Sequence, residues 1–352
     1  MTAVELWARL AERGLVEGER PEPGEAAPPW YVRAMLGFAG WLAACFLIGF
    51  LFIALSLESH GSGMIVIGIA CCGGAFFLFR LFDGLDFVEQ LALAVSLAGQ
   101  ALIGFGLGNV IAGDGASFYL AFALAEALLV AAVPNFLHRV LAAGGAAGAV
   151  AIAIGKMGLP GIASPILCAV LALVWLDPQV WARGGRLWRP VGYGAVLALL
   201  LTETFGLLDA GEMLFGGRGP GAGWMALHGP LIGRILSALI LVFVALALLR
   251  REGAEPDDGP FLAGAGGAIL LGFLSLWAPG LASALLILLL GFAAGSRLLT
   301  GVGILSLLGF VSHFYYSLHA TLLAKSGLMA LLALLLLAAH LGLRHMPEPA
   351  DA

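Results

Sequence analysis

Apolar stretches long enough to cross a lipid bilayer recur along this whole chain, and they limit its fold more than any other feature. A bilayer core about 30 Å thick needs about 20 apolar residues per helix. Within lipid, a helix satisfies all of its own backbone hydrogen bonds. The sequence therefore predicts an all-α bundle of about twelve spans (about 10–12). Their predicted bounds are 34–57, 61–79, 87–106, 115–133, 138–155, 157–176, 190–208, 229–249, 260–277, 279–296, 298–314 and 319–343.

The composition agrees with this prediction and excludes several other classes of protein. Of the 352 residues, 61% are hydrophobic and 11% are charged, against about 25% charged in an ordinary soluble domain. Twelve helices would use about 240 residues, which leaves no room for a second globular domain. No run of lysine and arginine suits a nucleic acid. The four cysteines lie in apolar stretches without ligand spacing, so we expect no metal, disulfide or cofactor.

The basic residues alternate between the two sides of the predicted bundle. Four arginines precede the first stretch, nine follow even-numbered stretches, and only Lys156, Arg218, Arg234 and Lys325 remain for the other side. Cytoplasmic loops retain positive charge. We therefore expect a multi-pass protein of a bacterial inner membrane, with both termini in the cytoplasm.

The two ends of the chain differ from the apolar part. Residues 1–33 combine an amphipathic segment near Trp7 with a proline-rich linker, and we place both in the cytoplasm. Residues 34–343 form the predicted membrane domain, and residues 344–352 form a short cytoplasmic tail.

Glu126 is the clearest ionisable residue inside a predicted span. It lies about 16 Å into the fourth stretch, among apolar neighbours. Such residues tend to face the interior of a bundle or a water-filled cavity. Two interpretations are open. Glu126 either accepts protons or contacts a substrate, or it is a protonated group hydrogen-bonded across a helix interface.

The third stretch carries a polar stripe formed by Glu89, Ser96 and Gln100. Eleven residues make about three helical turns, so Glu89 and Gln100 point in nearly the same direction, with Ser96 close to both. The stripe must face protein or water. A seam between helices and a conduction path are both compatible with it.

Two polar turns are predicted on the cytoplasmic side. The first contains the residues Arg80, Asp83, Asp86 and Gln90 beside Glu89, and the second contains Asn135, His138 and Arg139. Arg80 would bridge Asp83 or Asp86 and close the first turn. The alternative is a contact with an ion or a partner.

A second polar group lies in the outer half of the predicted bundle. Glu203 and Arg234 are about 8 Å deep, Lys325 about 9 Å and Gln100 about 10 Å. We expect Glu203 to pair with Arg234 or Lys325. The excess positive charge would suit an anionic ligand or the carboxylate of a partner. The simpler alternative is that both cations extend to the membrane surface.

Aromatic and imidazole side chains gather at the outer end of the eleventh stretch. They are His313, Tyr315, Tyr316 and His319. An interfacial aromatic belt alone would explain the tyrosines. No catalytic triad, HExxH motif or pair of carboxylates stands out, so we do not expect an enzyme.

Four segments resemble a bacterial membrane family known as domain of unknown function 4401. They are PWYVRAMLGFAGWLAACFLIGF, FRLFDGLDFVEQLALAVSLAGQALI, PNFLHRV and GFAAGSRLLTGVGILSLLGFVSHFYYSLHATLLAKSGL. The resemblance spans most of the chain and assigns no catalytic role. It implies a small membrane-anchored partner protein with a Gly-Asp-Tyr signature.

Two functions remain open at this point. One is a membrane component that works with the small partner in envelope assembly or maintenance. The other is a secondary transporter or channel, proton-coupled through Glu126. An enzyme acting on lipid-linked substrates is a distant third, because such enzymes usually show larger polar loops.

Overall fold

The structure is a computed structural model that describes residues 7, 9, 11–14, 30–56, 61–81, 86–111, 115–208, 214–215, 223–253, 255–256 and 258–317. Within these ranges the chain is helical and forms no strand. The predicted twelfth stretch, the C-terminal tail and most of residues 1–33 lie outside the described part. Of the amphipathic segment, positions 7, 9, 11 and 12 are described as helical.

Eleven helices of the described chain follow the first eleven predicted stretches in order. They are α1 (Trp30–Ser56), α2 (Gly61–Leu81), α3 (Asp86–Val110), α4 (Ala116–Ala132), α5 (Phe136–Lys156), α6 (Ala163–Leu176), α7 (Pro178–Leu207), α8 (Trp224–Arg251), α9 (Gly259–Leu274), α10 (Leu281–Ala293) and α11 (Arg297–Ser317). The all-helical fold is confirmed.

Among the described residues, six helices are long and apolar enough to cross a membrane. They comprise α2, α3, α5, α8, α11 and the part of α7 from Gly184 to Leu207. Helices α4, α6, α9 and α10 are apolar but shorter. The chain therefore has the fold of an integral membrane protein, while the count of twelve spans and the orientation stay predictions.

Two helix boundaries differ from the predicted ones by more than five residues. Helix α6 begins at Ala163 instead of residue 157, because Gly158 and Gly161 both adopt φ of +83° in the preceding loop. That left-handed conformation does not continue a helix. Helix α7 begins before the predicted residue 190 and is kinked at Gly184, where φ is −157°. Its first turns thus lie outside the membrane-spanning part.

Helix α3 anchors the first part of the bundle, packing extensively on α2 and also on α1 and α4. Glycines bring the backbones of α2 and α3 together. A Cβ atom added to Gly99 would lie 2.7 Å from the carbonyl oxygen of Gly68 and 2.7 Å from the sulfur of Cys72. Small residues at such positions permit close helix packing, as is common in membrane proteins.

The second part of the bundle surrounds a larger apolar core. Helix α7 packs on α5 and α6, α8 packs on α6, α9 and α10, and α10 packs on α11. Leucines from four helices are almost completely buried in this core. They are Leu171, Leu199, Leu241, Leu286 and Leu290. Helix α5 contributes to both parts and joins them.

Candidate functional site

An enclosed polar group lies between α3 and α5. The Ser96 hydroxyl is 2.7 Å from Nε2 of His138, and the Gln100 amide nitrogen is 3.2 Å from the same ring atom. The Gln100 amide also donates to Ser96 Oγ at 3.3 Å. We call these three side chains the histidine cluster. All three are buried, and His138 is 0% exposed.

The start of α5 determines the position of His138. The Asn135 side chain accepts a hydrogen bond of 3.0 Å from the His138 backbone N–H and caps the helix. This directs the imidazole towards α2 and α3, where Phe79 meets it edge-on with ring centroids 6.0 Å apart. His138 thus belongs to the bundle interior, together with Ser96 and Gln100. From the sequence, His138 was grouped with Asn135 and Arg139 in one cytoplasmic polar turn.

Glu126 is buried in the same half of the molecule. Its side chain is 2% exposed, and its Oε2 atom has no hydrogen-bond partner among the described residues. A Cβ atom at Gly145 of α5 would lie 3.5 Å from its carboxyl carbon. The carboxyl group is therefore packed against α5, in space that glycine leaves free.

The residues of the predicted cytoplasmic turns have separate contacts. Arg139 donates from Nε to the Val130 carbonyl at 3.0 Å and from a terminal nitrogen to the Arg186 carbonyl at 3.2 Å. The Arg80 guanidinium lies over the Phe76 ring, 5.2 Å from its centroid.

The other members of the first turn are only partly described. Glu89 and Gln90 are part-buried, and Gln90 packs against Gly40 of α1. Asp83 and the side chain of Asp86 lie outside the described residues, so a bridge from Arg80 to either of them stays a prediction.

The second polar region is a cavity of about 350 Å³ in the other half of the bundle. It lies at the end where α5, α7 and α9 finish and α6, α8 and α10 begin. Glu203 and Arg234 line it together with hydroxyl groups from several helices. We call this space the polar cavity. The hydroxyl residues are Ser164, Thr202, Ser237, Ser275 and Ser283. A cavity of this volume is in the range of small-molecule sites.

Glu203 is held by a serine at the start of α10. The Ser283 hydroxyl donates to Glu203 Oε1 at 2.6 Å. Arg234 donates to the Leu276 carbonyl at 3.2 Å. The structure thus brings Glu203 and Arg234 to one cavity. Their direct ion pair stays a prediction, and Lys325 lies outside the described residues.

Helix termini of both polarities border the polar cavity. Ala163 and Ser164 open α6, and Ala282 and Ser283 open α10, so both N-termini face the cavity. Gly155, Leu207 and Ser275 bring the C-terminal ends of α5, α7 and α9 to it as well. A helix N-terminus carries about +0.5 of an elementary charge and a C-terminus about −0.5. The polar cavity therefore offers Arg234 and two N-termini to an anionic group, beside Glu203 and helix C-termini that suit a cationic group.

The polar cavity has an apolar floor. Three leucines lie one helical turn beyond its polar residues, towards the opposite end of the bundle. They are Leu199 in α7, Leu241 in α8 and Leu286 in α10, each at most 2% exposed. Their side chains belong to one continuous core. Within the described part of the chain, the polar lining thus stops after about one turn, at a floor of buried leucines.

The aromatic group in α11 lies at the same end of the bundle. Tyr316 is 79% exposed, and the rings of Tyr315 and Tyr316 meet edge-on at 5.4 Å. His313 is exposed and lines a groove between α7 and α11. His319 lies outside the described residues.

Sequence reasoning missed Ser283, Ser164 and Ser237 as members of the polar cavity. Ser237 Oγ is buried and has no hydrogen-bond partner in the described chain. Serines are frequent in these apolar helices, and only the three-dimensional arrangement distinguishes the ones that line a cavity. Among the described residues, no group of three His, Cys, Asp or Glu side chains could hold a metal ion.

The family model for a domain of unknown function, DUF4401, matches residues 29–346, which is nearly the whole chain. The chain belongs to the DUF4401 family. The resemblance seen in the sequence is therefore confirmed. Comparison with the curated proteins and with the solved structures gives no match. Family membership assigns no activity, and the two polar regions of this DUF4401 protein are the features that bear on its function.

Proposed function

We propose that this DUF4401 protein is a non-enzymatic component of a bacterial inner membrane that binds a charged ligand group in the polar cavity. One observation carries the proposal: a polar cavity of about 350 Å³, lined by Arg234 and Glu203, ends on buried leucines. A site of this shape can receive and hold a group from one end of the bundle. It supports binding better than conduction.

The proposal includes an orientation and a partner. The distribution of basic residues favours an orientation with both termini in the cytoplasm, in which the polar cavity would lie in the outer half of the membrane. The family resemblance implies a small membrane-anchored protein that works with this chain in envelope assembly or maintenance. We infer that ligand binding in the polar cavity and partner binding serve the same role.

Cysteine labelling tests the orientation. In a background without native cysteines, single cysteines at Asp114 and Arg218 should react with an impermeant thiol reagent added outside intact cells. Cysteines at Arg186 and Arg251 should react only after the membrane is opened. Labelling of position 186 from outside would reverse the proposed orientation.

Purification from native membranes tests the role of the polar cavity. We expect the tagged full-length chain to retain a small membrane protein in stoichiometric amount. Gly206 lines the cavity, and no atom lies within 4 Å of a Cβ placed there. Gly206→Leu should therefore fill the cavity without a clash and release the partner. Gly301→Leu is the matched control, because its Cβ also meets open space.

Unchanged partner recovery from Gly206→Leu, with normal protein level, would contradict a role of the cavity in the complex. Failure of any small protein to copurify with the wild-type chain would contradict the partner itself.

A proton-coupled transporter is the second candidate function. The observation that favours it is Glu126, whose buried Oε2 atom lacks a partner in the described chain. Such a group could take up a proton during a transport cycle. Purified protein in liposomes should then couple a pH gradient to solute uptake, and Glu126→Gln should abolish uptake while leaving the protein level normal. Full cellular function in Glu126→Gln would remove this candidate.

A further inference from the structure

An apolar groove adjoins the polar cavity on the outside of α7. The groove has a volume of about 440 Å³ and runs between α7 and α11. Leu207 and Leu208 line both the groove and the polar cavity. Phe310 lines the groove as well, and its ring lies 2.6 Å from a Cβ position at Gly280 on the cavity wall. The two spaces are therefore neighbours with a shared wall.

The groove is lined mainly by apolar side chains, with Thr204, Ser306 and His313 as its polar members, and it runs parallel to the helices. On α7 it extends from Leu200 to Leu208, and on α11 from Val302 to His313. These segments are about 12 Å and about 16 Å long at the helical rise of about 1.5 Å per residue. The end next to the polar cavity is the end of the bundle where α7 finishes. From there the groove descends towards the middle of the membrane.

The polar cavity offers donors for an anionic group at this end. Arg234, the N-termini of α6 and α10, and the buried Ser237 hydroxyl all face it. Helix N-termini and guanidinium groups are frequent binding partners of phosphate. Glu203 lies beside them and would suit a cationic group attached to the phosphate.

We propose that the ligand of the polar cavity is a membrane phospholipid, whose phosphate lies near Arg234 and whose acyl chain occupies the groove between α7 and α11. This inference rests on the proposed function and names the ligand class. The groove begins beside the polar cavity at the end of the bundle and continues below it along α11 to Val302. A head group beside Arg234 and a tail in the groove would thus follow the order of head and tail in one leaflet.

Photo-crosslinking tests this assignment on the full-length protein. The probe is a phosphatidylglycerol with a diazirine in one acyl chain, presented in phosphatidylcholine vesicles, with a phosphatidylethanolamine probe in parallel. We expect crosslinks within 200–208 of α7 and 302–313 of α11. Excess glycerol phosphate, which has the head chemistry without a tail, should not compete. Competition by it would identify a site for a soluble anion and overturn the lipid assignment.

Two glycines of α11 provide a matched pair of variants. Gly309 lines the groove and Gly301 does not, and a Cβ at either position meets no atom within 4 Å. Gly309→Leu should fill the groove and reduce crosslinking about tenfold, which corresponds to ~1.4 kcal/mol. Gly301→Leu should leave crosslinking unchanged. Equal crosslinking in both variants would overturn the proposal.

Arg234→Gln tests whether the lipid head group binds beside Arg234. If this variant does not fold, Gly206→Leu is used for the same test. Either should lower crosslinking of both probes. Crosslinks that map instead to the separate groove between α6 and α8, around Ile166 and Phe243, would contradict the assignment. So would crosslinks to neither groove. Partner recovery from Gly206→Leu is a separate measurement, so a failed lipid assignment remains distinguishable from a failed proposed function.

Discussion

Two carboxyl groups in this bundle, Glu126 and Glu203, occupy opposite kinds of environment. Glu126 is enclosed among α4, α5 and their neighbours, 2% exposed, with an oxygen that has no partner in the described chain. Glu203 accepts a hydrogen bond from Ser283 and faces a cavity of about 350 Å³. Burial of an acidic residue in an apolar helix therefore does not identify a binding site. A binding site is indicated instead by free space and a second polar element beside the carboxyl group.

Single glycines in the two halves of the bundle also differ. Between α2 and α3, Gly99 and Gly68 bring the two backbones together. In the other half, Gly206 beside Glu203 borders open space, although Gly161 and Gly233 of the cavity wall are close-packed. Gly99 should therefore resist any added atom, and Gly206 should tolerate a side chain.

The largest expected effect comes from adding a side chain to each region. Gly99→Leu places carbon atoms where a Cβ already lies 2.7 Å from Gly68 O. It should lower the free energy of unfolding by ~3 kcal/mol or more, and much of the protein should fail to fold. Gly206→Leu should cost less than ~0.5 kcal/mol. Thermal melting in detergent measures both, and equal melting temperatures would show that the two regions are packed alike.

A smaller effect is expected from removing the imidazole of the histidine cluster. His138→Phe removes the imidazole from Ser96 and Gln100 and leaves them with their mutual hydrogen bond of 3.3 Å, at a cost of ~1–3 kcal/mol. The double variant Ser96→Ala/His138→Phe should lose less stability than the sum of the losses in the two single variants. The reason is that the double variant no longer contains the buried hydroxyl that His138→Phe leaves without the imidazole. A double-mutant cycle from denaturant unfolding measures this coupling. Strict additivity would mean that the two side chains do not interact.

The smallest expected effect on stability concerns the carboxyl groups themselves. Glu126→Met replaces a buried group that lacks a full set of partners with an apolar side chain of similar size, which is nearly neutral or stabilising. Glu203→Gln keeps an acceptor for Ser283 and should also change the free energy of unfolding by less than ~1 kcal/mol. Glu203→Gln should nevertheless change ligand binding. A strong loss of stability in Glu126→Met would reveal a partner of Glu126 outside the described residues.

Accessibility separates the two positions without relying on stability. In a cysteine-free background, Glu203→Cys should react with a small charged thiol reagent, because it faces the polar cavity. Glu126→Cys should react far more slowly, because that position is sealed by α5. The measurement is the labelling rate in detergent-solubilised, folded protein. Similar rates at both positions would end the distinction between enclosed and open regions.

The sequence predicted the helices well because a long apolar stretch has few alternatives in a membrane. For ten of the eleven described helices, most predicted boundaries lie within a few residues of the observed ones. The prediction for α7 was less accurate, because Gly184 and the turns before it do not follow the apolar pattern. The start of α6 was wrong because Gly158 and Gly161 lie in an otherwise apolar segment. Their left-handed conformation depends on the loop, which the period of hydrophobic residues does not reveal.

The sites were less predictable than the helices. Glu126, Glu203 and Arg234 stood out because charge is rare in these segments. Ser283 did not, since one serine among many becomes important only when α10 begins beside Glu203. His138 was assigned to a turn because of its neighbours in the chain, while its contacts with Ser96 and Gln100 come from a separate helix. The pattern of residues along the chain does not reveal which helices contact one another.

The shortness of α6 and α10 has an electrical consequence. With 14 and 13 residues, they are about 20 Å long, compared with a hydrocarbon core of about 30 Å. In the proposed orientation, the polar cavity fills the missing outer third. A membrane voltage would then fall mainly across the leucine floor, where the field is about 1.5 times its usual strength. A charge moved through that floor would gain or lose most of the ~2.3 kcal/mol per 100 mV available. A ligand that stays beside Arg234 would experience little of it, so its binding should be nearly independent of voltage.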